Sequence, residues 1–212
     1  MSEPVIIAGR IASQDTYDRG SGKFRTIRID PSTHATTTIS YPHHEAHAGS
    51  AYEIIYSVAS VGGLTTPNDT MTLSFKTPNT TKWMHIIIQA ICHSGSLVSM
   101  YEGKTGGGAN PTGILPAINY NRNSTNTSGI LDVAGTNAGN VSYDATVFTG
   151  GTTLFSTYVG ADGVGQSSVG GSHKNGEEFI LKQNTFYQVA LVETDTVPGT
   201  ISLSWYEHTD KD

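Results

Sequence analysis

The chain has 212 residues, a formal net charge of −6, 14% charged residues and 24 glycines. This length suits a single β-sandwich or barrel with one sizeable core. The acidic balance excludes nucleic acid as the main partner, because neutralising phosphates needs a basic face. No apolar run approaches the ~20 residues of a membrane helix, so no membrane partner is expected.

Residues 1–34 show no sustained period. Val5-Ile6-Ile7 and the alternating stretch Phe24–Ile29 are short apolar patches, separated by Gly20-Ser21-Gly22. The segment reads as an extended N-terminal arm, partly strand. Residues 1–30 carry five basic and four acidic groups, whereas the remaining residues carry seven and fourteen. The arm is therefore slightly positive and the body negative, which suits docking of the arm on an acidic surface. The N-terminus lacks a basic stretch followed by a long apolar run, so no signal peptide is expected.

From residue 36 onward the hydrophobic period is two. Thr36–Tyr41 predicts a strand stopped by Pro42, and Tyr52–Val58 a second. Met71, Leu73 and Phe75 alternate with Thr70, Thr72, Ser74 and Lys76, the pattern of a half-buried strand. Trp83–Cys92 is almost continuously apolar and predicts a central strand covered on both faces. Its Cys92 is the single cysteine, reads as a small buried hydrophobe and excludes an intramolecular disulfide. Leu97–Glu102 follows a turn at His93-Ser94-Gly95.

Residues 103–140 form a loop-rich insertion of low hydrophobicity, holding Gly106-Gly107-Gly108, the Asn-rich stretch 119–126 and one predicted strand at Ile114–Tyr120. A segment this long without strong periodicity points to an exposed, partner-facing loop. Further strands are predicted at Val141–Phe148, Thr152–Val159 and Val164–Val169. Phe186–Val192 and Thr200–Tyr206 alternate cleanly about Val197-Pro198-Gly199 and predict a hairpin. About ten strands and no long helix predict an all-β body over 35–212, a jelly-roll-like β-sandwich preceded by the arm.

Catalytic signatures fail on spacing. His43, His44 and His47 lie in Tyr-Pro-His-His-Glu-Ala-His, but His-Glu-x-x-His is absent, and Pro42 and Gly49 bracket a segment short for a helix. A loop between two strands, with imidazoles that make an interface pH-sensitive, is the expectation there, and no metal site. Gly106-Gly107-Gly108 precedes Ala-Asn-Pro and no Gly-x-Ser-x-Gly occurs. Trp83 and Trp205 fit core anchors better than a sugar-stacking platform. No enzyme activity and no cofactor are expected.

The order of certain phrases resembles a known family. Thr-Ile-Ser-Tyr-Pro-His-His-Glu-Ala-His-Ala-Gly-Ser-Ala-Tyr, ending at Tyr52, is followed by Leu-Ser-Phe-Lys-Thr-Pro at 73–78 and Trp-Met-His-Ile at 83–86. Ile-Asn-Tyr-Asn-Arg-Asn-Ser at 118–124, Gly-Gly-Thr-Thr-Leu at 150–154 and Glu-Phe-Ile-Leu-Lys-Gln-Asn-Thr-Phe-Tyr at 178–187 complete it. This pattern resembles the decoration, or cement, proteins of tailed-bacteriophage heads. The resemblance implies a jelly-roll-like body and trimerisation on the outer capsid surface, after synthesis in the host cytoplasm. It also implies an arm that clasps the major capsid protein, for which Arg10, Arg19, Arg25 and Arg28 are candidate salt-bridging groups. A tail or baseplate adhesin, or a carbohydrate-binding sandwich, is the alternative.

Overall fold

The computed structural model describes residues 15–18, 23–26, 41–58, 70–92, 95–159, 178–193 and 198–209. The chain divides into two compact units, residues 1–44 with 211–212, and residues 45–210. In the first, β1 (Asp15–Asp18) and β2 (Lys23–Thr26) form an antiparallel pair, Asp15 opposite Thr26 and Asp18 opposite Lys23. The predicted strand Val164–Val169 lies outside the described residues, as does all of the predicted strand Thr36–Tyr41 but Tyr41, which begins a helix instead.

The second unit is a sandwich of two antiparallel sheets. Its strands in chain order are β3 (Ala51–Val58), β4 (Thr70–Lys76), β5 (Lys82–Cys92), β6 (Ser96–Glu102), β7 (Gly113–Pro116), β8 (Ile118–Asn119), β9 (Leu131–Asp132) and β10 (Asn140–Tyr143). Then follow β11 (Thr152–Val159), β12 (Phe179–Leu181), β13 (Phe186–Glu193) and β14 (Gly199–Thr209). One sheet has the order β12-β5-β14-β3-β8, the other β11-β6-β13-β4-β10-β7, with β9 also pairing β4. With β7–β10 set aside, the chain passes between sheets at every step except β6 to β11, an order that agrees with the jelly roll expected.

The core lies between the sheets. Ile54, Met84, Ile86, Ile88, Ile201, Leu203 and Trp205 from one sheet meet Met71, Leu73, Phe75, Val98, Met100, Tyr187, Val189 and Leu191 from the other. Each such side chain contributes about 1.5–3 kcal/mol by leaving water. Cys92 is buried, with the Ser96 hydroxyl donating to its sulfur at 2.7 Å.

Several expectations are corrected by tertiary context. The predicted hairpin does not form: β13 pairs β4 and β6 while β14 pairs β3 and β5, so the two strands sit centrally in opposite sheets. The predicted strand at Ile114–Tyr120 is two, β7 in one sheet and β8 in the other, with the crossing at Ala117, whose amide donates to the Gly139 carbonyl at 2.8 Å. The strand predicted to reach Phe148 ends at Tyr143, because Asp144 turns into the left-handed region at φ 52°. The outer face of β5 is covered only in part, since His85 is buried there but Gln89 and Ile91 are exposed.

β4 departs in the opposite sense, being buried on both faces. Residues 144–148 cover its outer side. The Thr72 hydroxyl donates to the Ala145 carbonyl at 2.8 Å. The buried Gln188 amide donates to Ser74 Oγ at 2.8 Å and to the Thr146 carbonyl at 3.1 Å, and its oxygen accepts from the Phe148 amide at 2.7 Å. The side chains of Thr72, Ser74 and Gln188 under the loop thus each have a partner, whereas Asp144 Oδ1 is buried without one.

The insertion is tied to the body at two further points and braced internally at Asp132. Glu207, buried on the core side of β14, accepts from the Ser128 hydroxyl, the Gly129 amide at 3.0 Å and the Trp205 indole N–H at 3.2 Å. Asp132 accepts from the Thr136 and Asn137 amides at 2.8 and 3.1 Å. Burial acts to raise its pKa, but these donors and the Asn137 side chain prevail and hold it below the usual carboxylate value. Backbone hydrogen bonds join residues 105–108 to 146–149, including Gly106 N to Thr149 O at 3.2 Å and its reciprocal at 3.0 Å.

Candidate interaction surface

The segment holding His43, His44 and His47 is a helix, α1 (Tyr41–Ala48), not the loop expected. Proline is tolerated in a first helical turn, where its missing N–H has no intrahelical role. The helix closes at Gly49, whose φ of 73° suits a glycine C-cap. The Gly49 amide donates to the Ala46 carbonyl at 3.1 Å and the Ser50 amide to that of Glu45 at 2.9 Å.

Support for so short and polar a helix comes from the Asn-rich loop. Asn121 Nδ2 donates to the His47 carbonyl at 2.9 Å, Asn119 Nδ2 to that of Gly49 at 2.9 Å and Asn126 Nδ2 to that of Ala48 at 3.3 Å. The Tyr52 hydroxyl adds a fourth donor, 3.2 Å from Gly49 O. Burial, with the Glu207 charge adding, pushes the Tyr52 pKa up to about 12, so this hydroxyl keeps its proton. The Asn side chains therefore cap carbonyls that a helix C-terminus leaves orphaned. Helical spacing places His43 and His47 on one side of α1, and all three histidines are exposed.

Arg10, Arg19 and Arg28 lie outside the described residues. Arg25 lies on β2 opposite Thr16, and the placement of its side chain lies outside what is described.

The outer face of the five-stranded sheet is poor in charge. Strand alternation assigns to it Glu53, Ile55 and Ser57 of β3, Trp83, His85, Ile87, Gln89 and Ile91 of β5, and Thr200, Ser202, Ser204, Tyr206 and His208 of β14. Glu53 is the one Asp, Glu, Lys or Arg among them, and accepts from Ser202 and Ser204 at 3.3 and 3.5 Å. Ile55 and Ile91, with Ile118 of β8 and Ile180 of β12, are each about half exposed or more. Isoleucines on the neighbouring strands thus flank a central strand of Ser and Thr.

At one end of this face four polar side chains converge. β5 and β14 pair His85 with Tyr206 and Trp83 with His208, while β12 pairs Ile180 with His85. His85 Nδ1 lies 3.0 Å from Glu178 Oε1 and 3.1 Å from the Tyr206 oxygen. The Tyr206 hydroxyl lies 3.0 Å from both Glu178 oxygens. His208 Nε2 lies 2.7 Å from His85 Nε2, and the His85 and Tyr206 rings stack with centroids 4.7 Å apart. No motif in the sequence marks this cluster. Its only signal was the outward alternation of positions 85, 206 and 208; the pairing register that joins them has no local signature.

The chain matches no family model, no curated protein and no solved structure. Among the described residues no group of three or more His, Cys, Asp or Glu side chains could hold a metal ion. Among them also, no helix is long and apolar enough to cross a membrane.

Proposed function

We propose that this chain is a structural virion protein that binds the outer surface of a tailed-phage capsid and stabilises the shell. In this reading it acts as a homotrimer, has no enzyme activity, and its N-terminal arm clasps subunits of the major capsid protein. The structural observation that carries the reading is the outer face of the five-stranded sheet, with Ile55, Ile91, Ile118 and Ile180 exposed and one carboxylate on its three central strands. A charge-poor face with several exposed isoleucines suits burial against protein. The phrase resemblance and the opposite charge balance of arm and body support it further.

Stabilisation follows by mass action. A protein that binds only the assembled, expanded shell lowers its free energy relative to unbound forms by RT ln(1 + [L]/Kd), about 2.7 kcal/mol per site at a hundredfold excess over Kd. A symmetric trimer matches three-fold positions of a lattice. Arg10, Arg19, Arg25 and Arg28 supply charge-assisted hydrogen bonds from the arm to acidic capsid groups.

Deleting residues 1–30 is expected to abolish co-sedimentation with undecorated phage heads while leaving the circular dichroism spectrum and melting temperature of the sandwich unchanged. Undiminished binding by the truncated protein would sink the arm mechanism.

A further inference from the structure

The setting of Glu53 says what kind of surface covers the outer face of the five-stranded sheet. The pairing register places Ser204 beside Glu53, Ser202 beside Ile55 and Thr200 beside Ser57. On the other side of β14, the same three residues lie beside Ile87, Gln89 and Ile91. The central strand is thus a low row of Ser and Thr between two taller rows. Its hydroxyls already have partners within the sheet. Ser57 Oγ and Thr200 Oγ1 lie 2.9 Å apart, and Ser202 and Ser204 donate to Glu53 at 3.3 and 3.5 Å. The Tyr120 hydroxyl lies 3.1 Å from Ser204 Oγ. Around this row Ile55, Ile91 and Ile118 stand exposed.

Glu53 is the exception on a face otherwise suited to apolar contact. The groups that donate to it are neutral hydroxyls, and among the described residues no Lys, Arg or His forms an ion pair with it. A carboxylate covered by a partner without a counter-charge opposes docking strongly, because its lost hydration is not replaced. The outward residues of β3, β5 and β14 include no lysine or arginine. A second copy of the same face therefore brings only another Glu53 as its permanent charge, which disfavours a symmetric self-contact here.

We infer that this face docks on a capsid surface of complementary chemistry, an apolar patch carrying one arginine or lysine that pairs with Glu53. The inference rests on the capsid-decoration reading. It adds the surface that meets the shell and the charge that the shell supplies there, and it places the contacts between copies elsewhere on the body. Five strands about 4.8 Å apart and the eight residues of β3 at about 3.4 Å each make a face on the order of 500 Å². A stable interface buries about 800 Å² per partner, so the face and the arm are both needed. An ion pair ringed by isoleucines is shielded from salt and fixes the register of docking.

The test is titrated co-sedimentation of the full chain with expanded, undecorated tailed-phage heads, with native mass spectrometry of the same samples. Glu53→Gln keeps the size of the side chain and is expected to weaken binding about thirtyfold. Glu53→Arg sets like charges together and Ile55→Asp adds an unpaired one, so each should weaken binding about a hundredfold or more. Tyr158→Ser, at an exposed position on β11 of the other sheet, should bind as the parent does. All four variants should keep the parent's circular dichroism spectrum and trimer mass. Parent-like binding by Glu53→Gln and Glu53→Arg would overturn this inference and leave capsid binding standing. Loss of the trimer in the Glu53 or Ile55 variants would make the face a contact between copies and also overturn it. A parent chain that never co-sediments would overturn the capsid reading, and the inference with it. If Glu53→Arg or Ile55→Asp fails to fold, Glu53→Gln decides.

Discussion

Glu207→Ala is expected to lower the melting temperature by roughly 10 °C, the largest effect of any single polar substitution considered for this chain. The carboxylate is buried and accepts from the Ser128 hydroxyl, the Gly129 amide and the Trp205 indole. Removing it strands buried donors from two distant parts of the chain, each costing about 1–3 kcal/mol when left unmade. A total near 3–4 kcal/mol moves the midpoint of a domain this size by about 2–4 °C per kcal/mol. Glu207→Gln keeps one acceptor oxygen and should retain about half of the loss. Differential scanning calorimetry of both variants checks the order. A Glu207→Ala protein melting within 2–3 °C of the parent would mean that residues 128–129 are not held to β14 through this side chain.

Gly107→Ala is expected to cost about 3 kcal/mol, read as a lower midpoint in urea. Gly107 has φ 76°, and a Cβ there would drive into the Val147 carbonyl oxygen, a backbone atom that cannot turn aside. The left-handed conformation alone costs an alanine about 1–2 kcal/mol, and the clash adds to it. Gly135→Ala serves as the control. It shares a positive φ of 75°, but its Cβ would meet only the flexible Lys76 side chain at 3.4 Å. The difference between the two isolates the close approach of residues 105–109 to 146–149. Equal losses would show that backbone strain alone sets the cost.

These two sites show where the sequence was readable and where it was not. Gly106-Gly107-Gly108 is visible as a break and fails as a phosphate loop, but nothing local points to Val147 as the reason for glycine. Period-two patterning placed β3–β6, β11, β13 and β14 well, because alternation is a property of each strand alone. Sheet membership is not. The turn chemistry at Pro198-Gly199 serves a hairpin and a crossing between sheets equally, so it does not decide whether β13 and β14 pair. Thr72 and Ser74 read as solvent-facing because their cover, Gln188 and residues 144–148, lies about 70 or more positions away. The length of α1 and its bracketing Pro42 and Gly49 argue locally against a helix. Its carbonyls are capped by Asn119, Asn121 and Asn126, partners that a local window does not contain.

The histidines make the same point for the candidate site. Sequence proximity drew attention to His43, His44 and His47 as a pH-sensitive group, and they lie exposed on α1. The close imidazole contact of the structure instead joins His85 to His208, 123 positions apart. Tyrosines buried beside acids follow a similar logic. Burial first, then the hydrogen bonds to Asp144 and Glu102, raise the pKa values of Tyr56 and Tyr187 above the ordinary tyrosine range. Both hydroxyls therefore stay protonated as donors that tie strands together through physiological pH.

The sandwich accounts for a stable body and for a charge-poor face on one of its sheets. Capsid decoration adds to this a partner lattice, a trimer and a clasping arm. The most direct test of that account combines native mass with binding. Purified full-length chain is measured by native mass spectrometry and then titrated onto expanded, undecorated tailed-phage heads, with bound protein quantified after sedimentation. The account predicts a trimer that saturates the heads at a fixed stoichiometry and raises their melting temperature. A monomer that stays in the supernatant at every concentration would contradict it.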